Sequence, residues 1–249
     1  MTVLVSRDDR VAVVTLARTA RHNSLVPDFL VSIRDAIAAA SGDHEVGAIV
    51  LAAEGPTFST GGDVAAFAAR DEDLAEYAHE VVGLLNEVVL TMLRSPTPIF
   101  AAVHGMVTGG SIGLVFGSDV VVIGPNASFT PWYTTVGFGP DGGWTALAPR
   151  VIGRQRAADA LLAHRTISAH DAISWGLASR LTDEGAELDM AIALARGAAA
   201  RKPNATAVAK GLLVGDLATV ADRLERERTA FVAQVVTPES RRGMEEFLS

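Results

Sequence analysis

The stretch Ile99-Phe100-Ala101-Ala102-Val103-His104-Gly105-Met106-Val107-Thr108-Gly109-Gly110-Ser111-Ile112-Gly113 decides the fold. Its first five residues are apolar without alternation, which predicts a strand buried on both faces. A glycine-rich turn follows, and the apolar run after it predicts a short helix. A strand, a turn of small residues and a helix N-terminus in that order belong to an α/β fold. Such a turn lets bare backbone N–H groups face a ligand.

Outward from this stretch the same alternation continues. Upstream, Val3–Val5 and Val11–Leu16 read as two strands joined by the turn Arg7–Arg10. Pro27 at a first helical position opens a helix over Asp28–Ala40, and Ala48–Ala52 has strand length. Glu54–Gly62 is a loop, and Leu74–Arg94 is a long amphipathic helix stopped before Pro96 and Pro98. Downstream, Val120–Ile123 and Ser128–Thr130 read as strands, and from Gly142 the pattern is helical. Ser168-Ala169-His170-Asp171 is a capping box for a helix to Trp175, and Thr237-Pro238-Glu239 starts the last helix. The expectation is an α/β core over residues 1–190 and a helical region over 191–249, within one structural unit.

Composition narrows the function. The chain has 249 residues, 49% of them hydrophobic, too apolar for a disordered chain. A net charge of −8 argues against a general nucleic-acid binder. With no cysteine there is no disulfide, thiol nucleophile or thiolate metal site, which fits a cytoplasmic location. No apolar run reaches the roughly 18 residues of a membrane span, and the residues after Met1 do not resemble a signal peptide. The two lysines, Lys202 and Lys210, read as a compositional bias toward arginine.

Three glycine-rich places carry candidate chemistry. Phe58-Ser59-Thr60-Gly61-Gly62-Asp63 lies between a strand and a short helix, with Asp63 either a helix cap or part of a ligand site. Thr108–Gly113 repeats that placement. It lacks the further glycine of a dinucleotide fingerprint. Its Gly109-x-Ser111-x-Gly113 matches a serine nucleophile elbow, but only His164 and His170 follow as triad partners, and no metal-ligand spacing involves them. The third place is Val136-Gly137-Phe138-Gly139-Pro140-Asp141-Gly142-Gly143-Trp144. Asp141 reads either as the N-cap of a following helix or as a carboxylate in an apolar turn, its pKa raised for proton transfer. Two backbone N–H sites and one isolated acid form the equipment for stabilising an enolate and moving a proton.

Taken together these residues resemble the crotonase (enoyl-CoA hydratase/isomerase) superfamily. Leu16-Ala17-Arg18-Thr19-Ala20-Arg21-His22-Asn23-Ser24-Leu25 resembles its CoA loop L-N-R-P-x-x-x-N-A-L. Phe58–Val64 resembles F-x-x-G-x-D-[LI], and Ala101–Gly110 resembles A-A-[VI]-x-G-x-A-x-G-G. Asp119-Val120 and Ser174-Trp175-Gly176-Leu177-Ala178 resemble two later elements, in the family order. The resemblance implies a crotonase-like spiral of ββα units, with a C-terminal helical region that drives assembly into a homotrimer or a dimer of trimers. It implies an acyl-CoA thioester as substrate and no separate cofactor or metal. By motif position the N–H groups of Gly62 and Gly110 would form an oxyanion hole. Arg21 and His22 would meet CoA phosphates, Ser24 the pantetheine through its backbone, and Thr60, Asp63 and Val64 the adenine and thioester side. Trp132 and Tyr133 would wall the acyl pocket.

The acids depart from the family's hydratases, which carry two glutamates. At those positions this chain has Gly113 and Trp132, and neither transfers a proton. Asp141 remains, in a setting similar to the I-P-D-x-G-G-T-W element of isomerase members. The resemblance therefore implies double-bond migration or ring isomerisation, with hydration, another enolate reaction or non-catalytic acyl-CoA binding as alternatives. Naphthoate-CoA synthases show a similar string. Aromatic acyl-CoA dehalogenases use such an aspartate as nucleophile with a histidine on the preceding long helix, where this chain has Asn86; His79 is about two turns away.

Overall fold

A computed structural model describes residues 2–249. Its larger sheet has six strands in the order β1-β2-β3-β4-β6-β9: β1 (Val3–Asp8), β2 (Val11–Leu16), β3 (Ala48–Ala53), β4 (Ile99–Val103), β6 (Val120–Ile123) and β9 (Arg180–Leu181). β1 pairs antiparallel with β2, and every later pair is parallel. A smaller sheet, ordered β5-β7-β8, is made of β5 (Met106–Thr108), β7 (Ser128–Thr130) and β8 (Ile167–Ser168). The chain leaves β4 of the large sheet for β5 of the small one, then repeats the step from β6 to β7. Each turn of this spiral stacks on the last, so equivalent loops from successive turns lie side by side.

The first turn is tighter than its sequence suggests. β1 extends to Asp8, and Asp9 takes φ 54°, a left-handed conformation that aspartate tolerates in a two-residue hairpin. α1 (Pro27–Gly42) and α3 (Leu74–Arg94) pack on one face of the large sheet, with the short α2 (Val64–Ala68) between them in sequence. Alternation along the strands sends Val14, Ile49, Ala101 and Val121 to this face. Val13, Val50, Phe100 and Val122 face the other way. Each buried Val, Ile or Phe side chain among them contributes roughly 1.5–3 kcal/mol.

α4 (Ile112–Phe116) follows the Gly109–Ser111 turn, and α5 (Tyr133–Val136) follows β7. No helix begins at Gly142: residues 142–147 form consecutive turns, and α6 (Ala148–Val151) starts only afterwards. Gly142 and Gly143 have φ of 63° and 94°, values that do not continue a helix. α7 (Arg154–Leu162) and α8 (Ala169–Trp175) come next; Ser168 caps α8 by accepting the Asp171 N–H.

α9 (Glu187–Ala199) lays Ala191, Ala195 and Ala199 over the second face of the large sheet. This small-residue stripe permits close approach: a Cβ on Gly47 would stand 2.8 Å from that of Ala199. The expected boundary at 190 thus falls within α9. α10 (Pro203–Val214) anchors through Lys210, whose Nζ meets the Asp119 carboxylate at 2.8 Å. α11 (Leu217–Val235) packs against α3, and α12 (Pro238–Leu248) returns to α2 and α5. Among the described residues no helix is long and apolar enough to cross a membrane.

Candidate active site

The spiral places the first two glycine-rich turns side by side. Ser59 bridges Val107 as an additional parallel rung beside β5: the Ser59 N–H donates to Met106 O and the Thr108 N–H to Ser59 O, both at 3.1 Å. Ser111 Oγ donates to Thr108 O at 2.7 Å and Ser59 O at 3.1 Å, tying both segments together. Gly61 (φ 74°) is indispensable, because a Cβ there would stand 2.5 Å from the Thr108 carbonyl oxygen. The N–H groups of Gly62 and Gly110 find no acceptor among the described residues, and both glycines line one cavity of about 420 Å³. The nucleophile-elbow reading of Ser111 fails here. Its hydroxyl is buried, committed to two carbonyls, and has no histidine partner among the described residues.

The third turn folds onto the second. A Cβ on Gly142 would stand 2.2 Å from Gly110 O, and Trp144 Nε1 donates to Gly109 O at 3.1 Å. Asp141 lines the cavity yet is only 7% exposed. Its carboxylate caps no helix; Oδ1 instead accepts the Tyr133 hydroxyl at 2.6 Å. Burial pushes the Asp141 carboxyl up, the Tyr133 hydrogen bond opposes this, and the Glu227 charge adds to it, leaving the pKa at about 7. A carboxyl so poised exchanges a proton near neutrality.

Glu227 is the residue that sequence reasoning missed. It lies in the run Leu224-Glu225-Arg226-Glu227-Arg228, which has the look of a solvated helix face, yet Glu227 is 3% exposed. Its carboxylate accepts the N–H groups of Gly143, Thr145 and Ala146 at 2.8, 2.6 and 2.9 Å, and the Thr145 hydroxyl at 2.6 Å. Burial raises the Glu227 pKa despite these donors. Glu227 thereby fixes the turn that carries Asp141 and sets a second negative charge behind it.

At the cavity mouth Asp63 is both a cap and a hub. It accepts the Ala66 N–H at the start of α2. It also binds Arg18, Arg21 and Ser24 Oγ at 3.3, 3.1 and 3.1 Å. Burial pushes its carboxyl up, but Ala66, Arg21 and Ser24 outweigh this and hold it below its ordinary value. Arg21 stays half exposed at the mouth, beside exposed His22. The Ser24 N–H is spent on Arg21 O, and its carbonyl accepts from Arg18. Thr60 and Val64 also line the cavity.

The inner wall is apolar and aromatic: Leu85, Phe67, Phe138 and Phe231 line it, and the three rings pack at centroid distances of 5.2–5.8 Å. Trp132 and Tyr133 line it too, Trp132 lying edge-on to His164 and Phe247. Gly113 cannot be replaced by a longer residue without movement. A Cβ there would meet Val89 Cγ2 at 2.8 Å and Gly142 O at 2.9 Å. Asn86 donates to Leu224 O, and His79 is exposed, so neither offers a base to Asp141.

The sequence profile of the enoyl-CoA hydratase/isomerase family matches residues 6–249. A probable enoyl-CoA hydratase of Mycobacterium tuberculosis is 33% identical over 198 residues, spanning 80% of this chain and 75% of that protein. A 4-chlorobenzoyl coenzyme A dehalogenase of an Arthrobacter species is 31% identical over 183 residues, 73% of this chain and just under two thirds (66%) of the relative. The fold is similar to that of an enoyl-CoA hydratase from Bacillus halodurans, with a TM-score of 0.92 at 23% identity, covering 99% of this chain and 100% of that one.

Proposed function

Because the chain belongs to the enoyl-CoA hydratase/isomerase family, we propose that it shifts a double bond, or isomerises a ring, next to a CoA thioester, with Asp141 as the proton shuttle. One observation carries this reading. Of the two carboxylates lining the cavity among the described residues, Asp63 is bound by two guanidinium groups, whereas Asp141 has no cationic partner among them and lies against Gly110.

The thioester oxygen accepts the Gly62 and Gly110 N–H groups. Ionised Asp141 takes a proton from one carbon of the enoyl chain, and the electron pair moves into the conjugated enolate. The enolate oxygen gains negative charge beside these two cavity-lining glycines, and each such N–H donor is worth about 2.7–4 kcal/mol in oxyanion sites. Protonated Asp141 returns the proton two carbons away, which completes the shift without water. Gly113 and Trp132 supply no acid for activating water, so this route suits the residues better than hydration. Arg21 and His22 meet the CoA phosphates, and Thr60, Asp63 and Val64 line the approach to the thioester. On this acidic chain, Arg21 and the backbone N–H groups offset the repulsion of the anionic CoA locally.

The dehalogenase relative favours a second reading, in which Asp141 attacks an aryl ring as nucleophile; the three phenylalanine rings would suit such a substrate. It lacks a histidine facing Asp141, so the shuttle is preferred. The resemblance also implies a homotrimer or a dimer of trimers. On α10, Val208, Leu212 and Leu213 are 64%, 79% and 84% exposed, an apolar face for a second copy; light scattering tests it.

The functional test is a panel of unsaturated and epoxidised acyl-CoAs with wild type and Asp141→Ala. Double-bond migration at unchanged product mass, lost in Asp141→Ala while acyl-CoA still binds, supports the shuttle. Mass gain by one water identifies a hydratase, and chloride release from 4-chlorobenzoyl-CoA a dehalogenase. Binding with no turnover marks a non-catalytic acyl-CoA binder.

A further inference from the structure

We propose that Tyr133 is a positioning residue for Asp141: its phenol occupies Oδ1, so that Oδ2 alone meets the substrate. The proposal rests on the proton-shuttle reading of Asp141. Tyr133 Oη stands 2.6 Å from Oδ1 and 3.0 Å from the Asp141 backbone oxygen, and the side chain is 4% exposed. Both contacts are to one residue, so the phenol fixes the carboxylate's torsion as well as its location.

The phenol is itself held. The Phe138 N–H returns to Tyr133 O at 2.8 Å, and Gly137 (φ 81°) ends α5 there. Gln234 Nε2 donates to Gly137 O at 3.0 Å, and Ser240 Oγ donates to the same oxygen, tying α5 to α11 and α12. Burial, then the Asp141 charge, push the phenol far above its ordinary pKa, so it stays a donor throughout the working range.

The surroundings of the carboxylate are otherwise simple. Glu227, from α11, is the other charged group acting on it, and acts in the opposite sense to the phenol. The carboxylate lies against the bare backbone of Gly110, which apolar Leu85 of α3 also flanks. With Oδ1 engaged, the same atom, Oδ2, takes the proton and gives it back. Departure and return then occur on one face of the substrate.

The test is Tyr133→Phe, which keeps the ring and removes the hydroxyl. Without the donor, ionised Asp141 loses a charge-assisted hydrogen bond, and its titration midpoint rises by about one to two pH units. Carboxyl ¹³C NMR of the free protein, assigned with Asp141→Asn, reads this without any substrate. The acid limb of kcat/KM moves up in parallel, and kcat falls about tenfold with KM unchanged. A midpoint that stays in place in folded Tyr133→Phe overturns the proposal, whatever happens to activity. If that variant does not fold, fluorotyrosine replaces it: the chain has two tyrosines, Tyr77 and Tyr133. A more acidic phenol must move the Asp141 midpoint down, and an unmoved midpoint is again fatal. Retained isomerisation in Asp141→Asn would sink the shuttle reading instead, and the NMR result separates the two failures.

Discussion

The carboxylate of Asp141 rests against the α-carbon of Gly110: a Cβ built on Gly110 would stand 2.6 Å from Oδ1 and 2.9 Å from Oδ2. The proposed oxyanion donor and the proposed proton carrier therefore share one wall of the cavity. Gly110→Ala keeps the N–H but forces the carboxylate, or Leu85 at 2.8 Å, to move. Displacing a reacting group by about 1 Å costs on the order of 10²-fold in rate. The expected result is a kcat lowered about 100-fold, with acyl-CoA affinity in calorimetry within a few-fold of wild type. A variant retaining most of its kcat would show that the carboxylate does not depend on this contact.

The pKa of about 7 at Asp141 has two consequences of defined sign. As a base, Asp141 works only when ionised, so kcat/KM rises with pH and levels above about 7. For stability, the folded pKa lies above the unfolded value of 3.8. Between these values the native state binds more protons than the unfolded one, and stability falls as pH rises through that window. At pH 8 the buried charge costs up to about 4 kcal/mol. Asp141→Asn, which can still accept from Tyr133, should therefore raise Tm more at pH 8 than at pH 4, by calorimetry. An equal gain at both pH values would mean the carboxyl is not shifted.

The strands, α3 and the glycine turns were legible because their signals are local: apolar runs of strand length, a helical stripe ending at Pro96, paired glycines. Asp141 was legible as an acid but ambiguous in role, since Pro-Asp-Gly-Gly reads equally as a helix start. The absence of that helix follows from two left-handed glycines, Gly142 packing on Gly110 and Gly143 on Leu147; the Gly110 contact is tertiary and has no local signal. Glu227 and Lys210 were hidden for a related reason. Each sits among residues typical of exposed helices, and only the packing of α11 and α10 buries it. The Asp63 hub needed both the CoA-like loop and the turn around Gly62, brought together by the Leu25–Gly62 bridge.

Glu227 supports the Asp141 turn with four accepted hydrogen bonds. Glu227→Ala strands the N–H groups of Gly143, Thr145 and Ala146, at about 1–3 kcal/mol for each that stays buried and unpaired. Denaturant unfolding should show a loss of at least about 3 kcal/mol. Glu227→Gln is the milder probe. It removes the negative charge that raises the Asp141 pKa, so the acid limb of kcat/KM moves to lower pH. An unmoved limb would indicate that Glu227 acts on the turn's shape alone.

Lys210 is the mirror case, a buried cation far from the proposed chemistry. Its side chain is 5% exposed, and Nζ reaches the Asp119 carboxylate at 2.8 Å, Met92 O at 3.0 Å and Thr97 O at 3.2 Å. Asp119 also accepts the Ile99 N–H at 2.7 Å, so one ion pair joins α10 to the end of α3 and the start of β4. Burial lowers the Lys210 pKa, and the Asp119 charge opposes it. Lys210→Met removes the cation but keeps the bulk. It leaves the partly exposed Asp119 carboxylate and the carbonyls of buried Met92 and Thr97 without their partner, a loss of about 1–3 kcal/mol for each carbonyl that stays unpaired. Lys210 is buried but the Asp119 side chain is 26% exposed, so the loss should shrink only in part between 0.1 M and 1 M salt, where the Debye length falls from about 10 Å to about 3 Å. The folded variant should keep the wild-type pH profile, since nothing in this cluster touches Asp141. A loss that vanishes at high salt would place the pair in solvent.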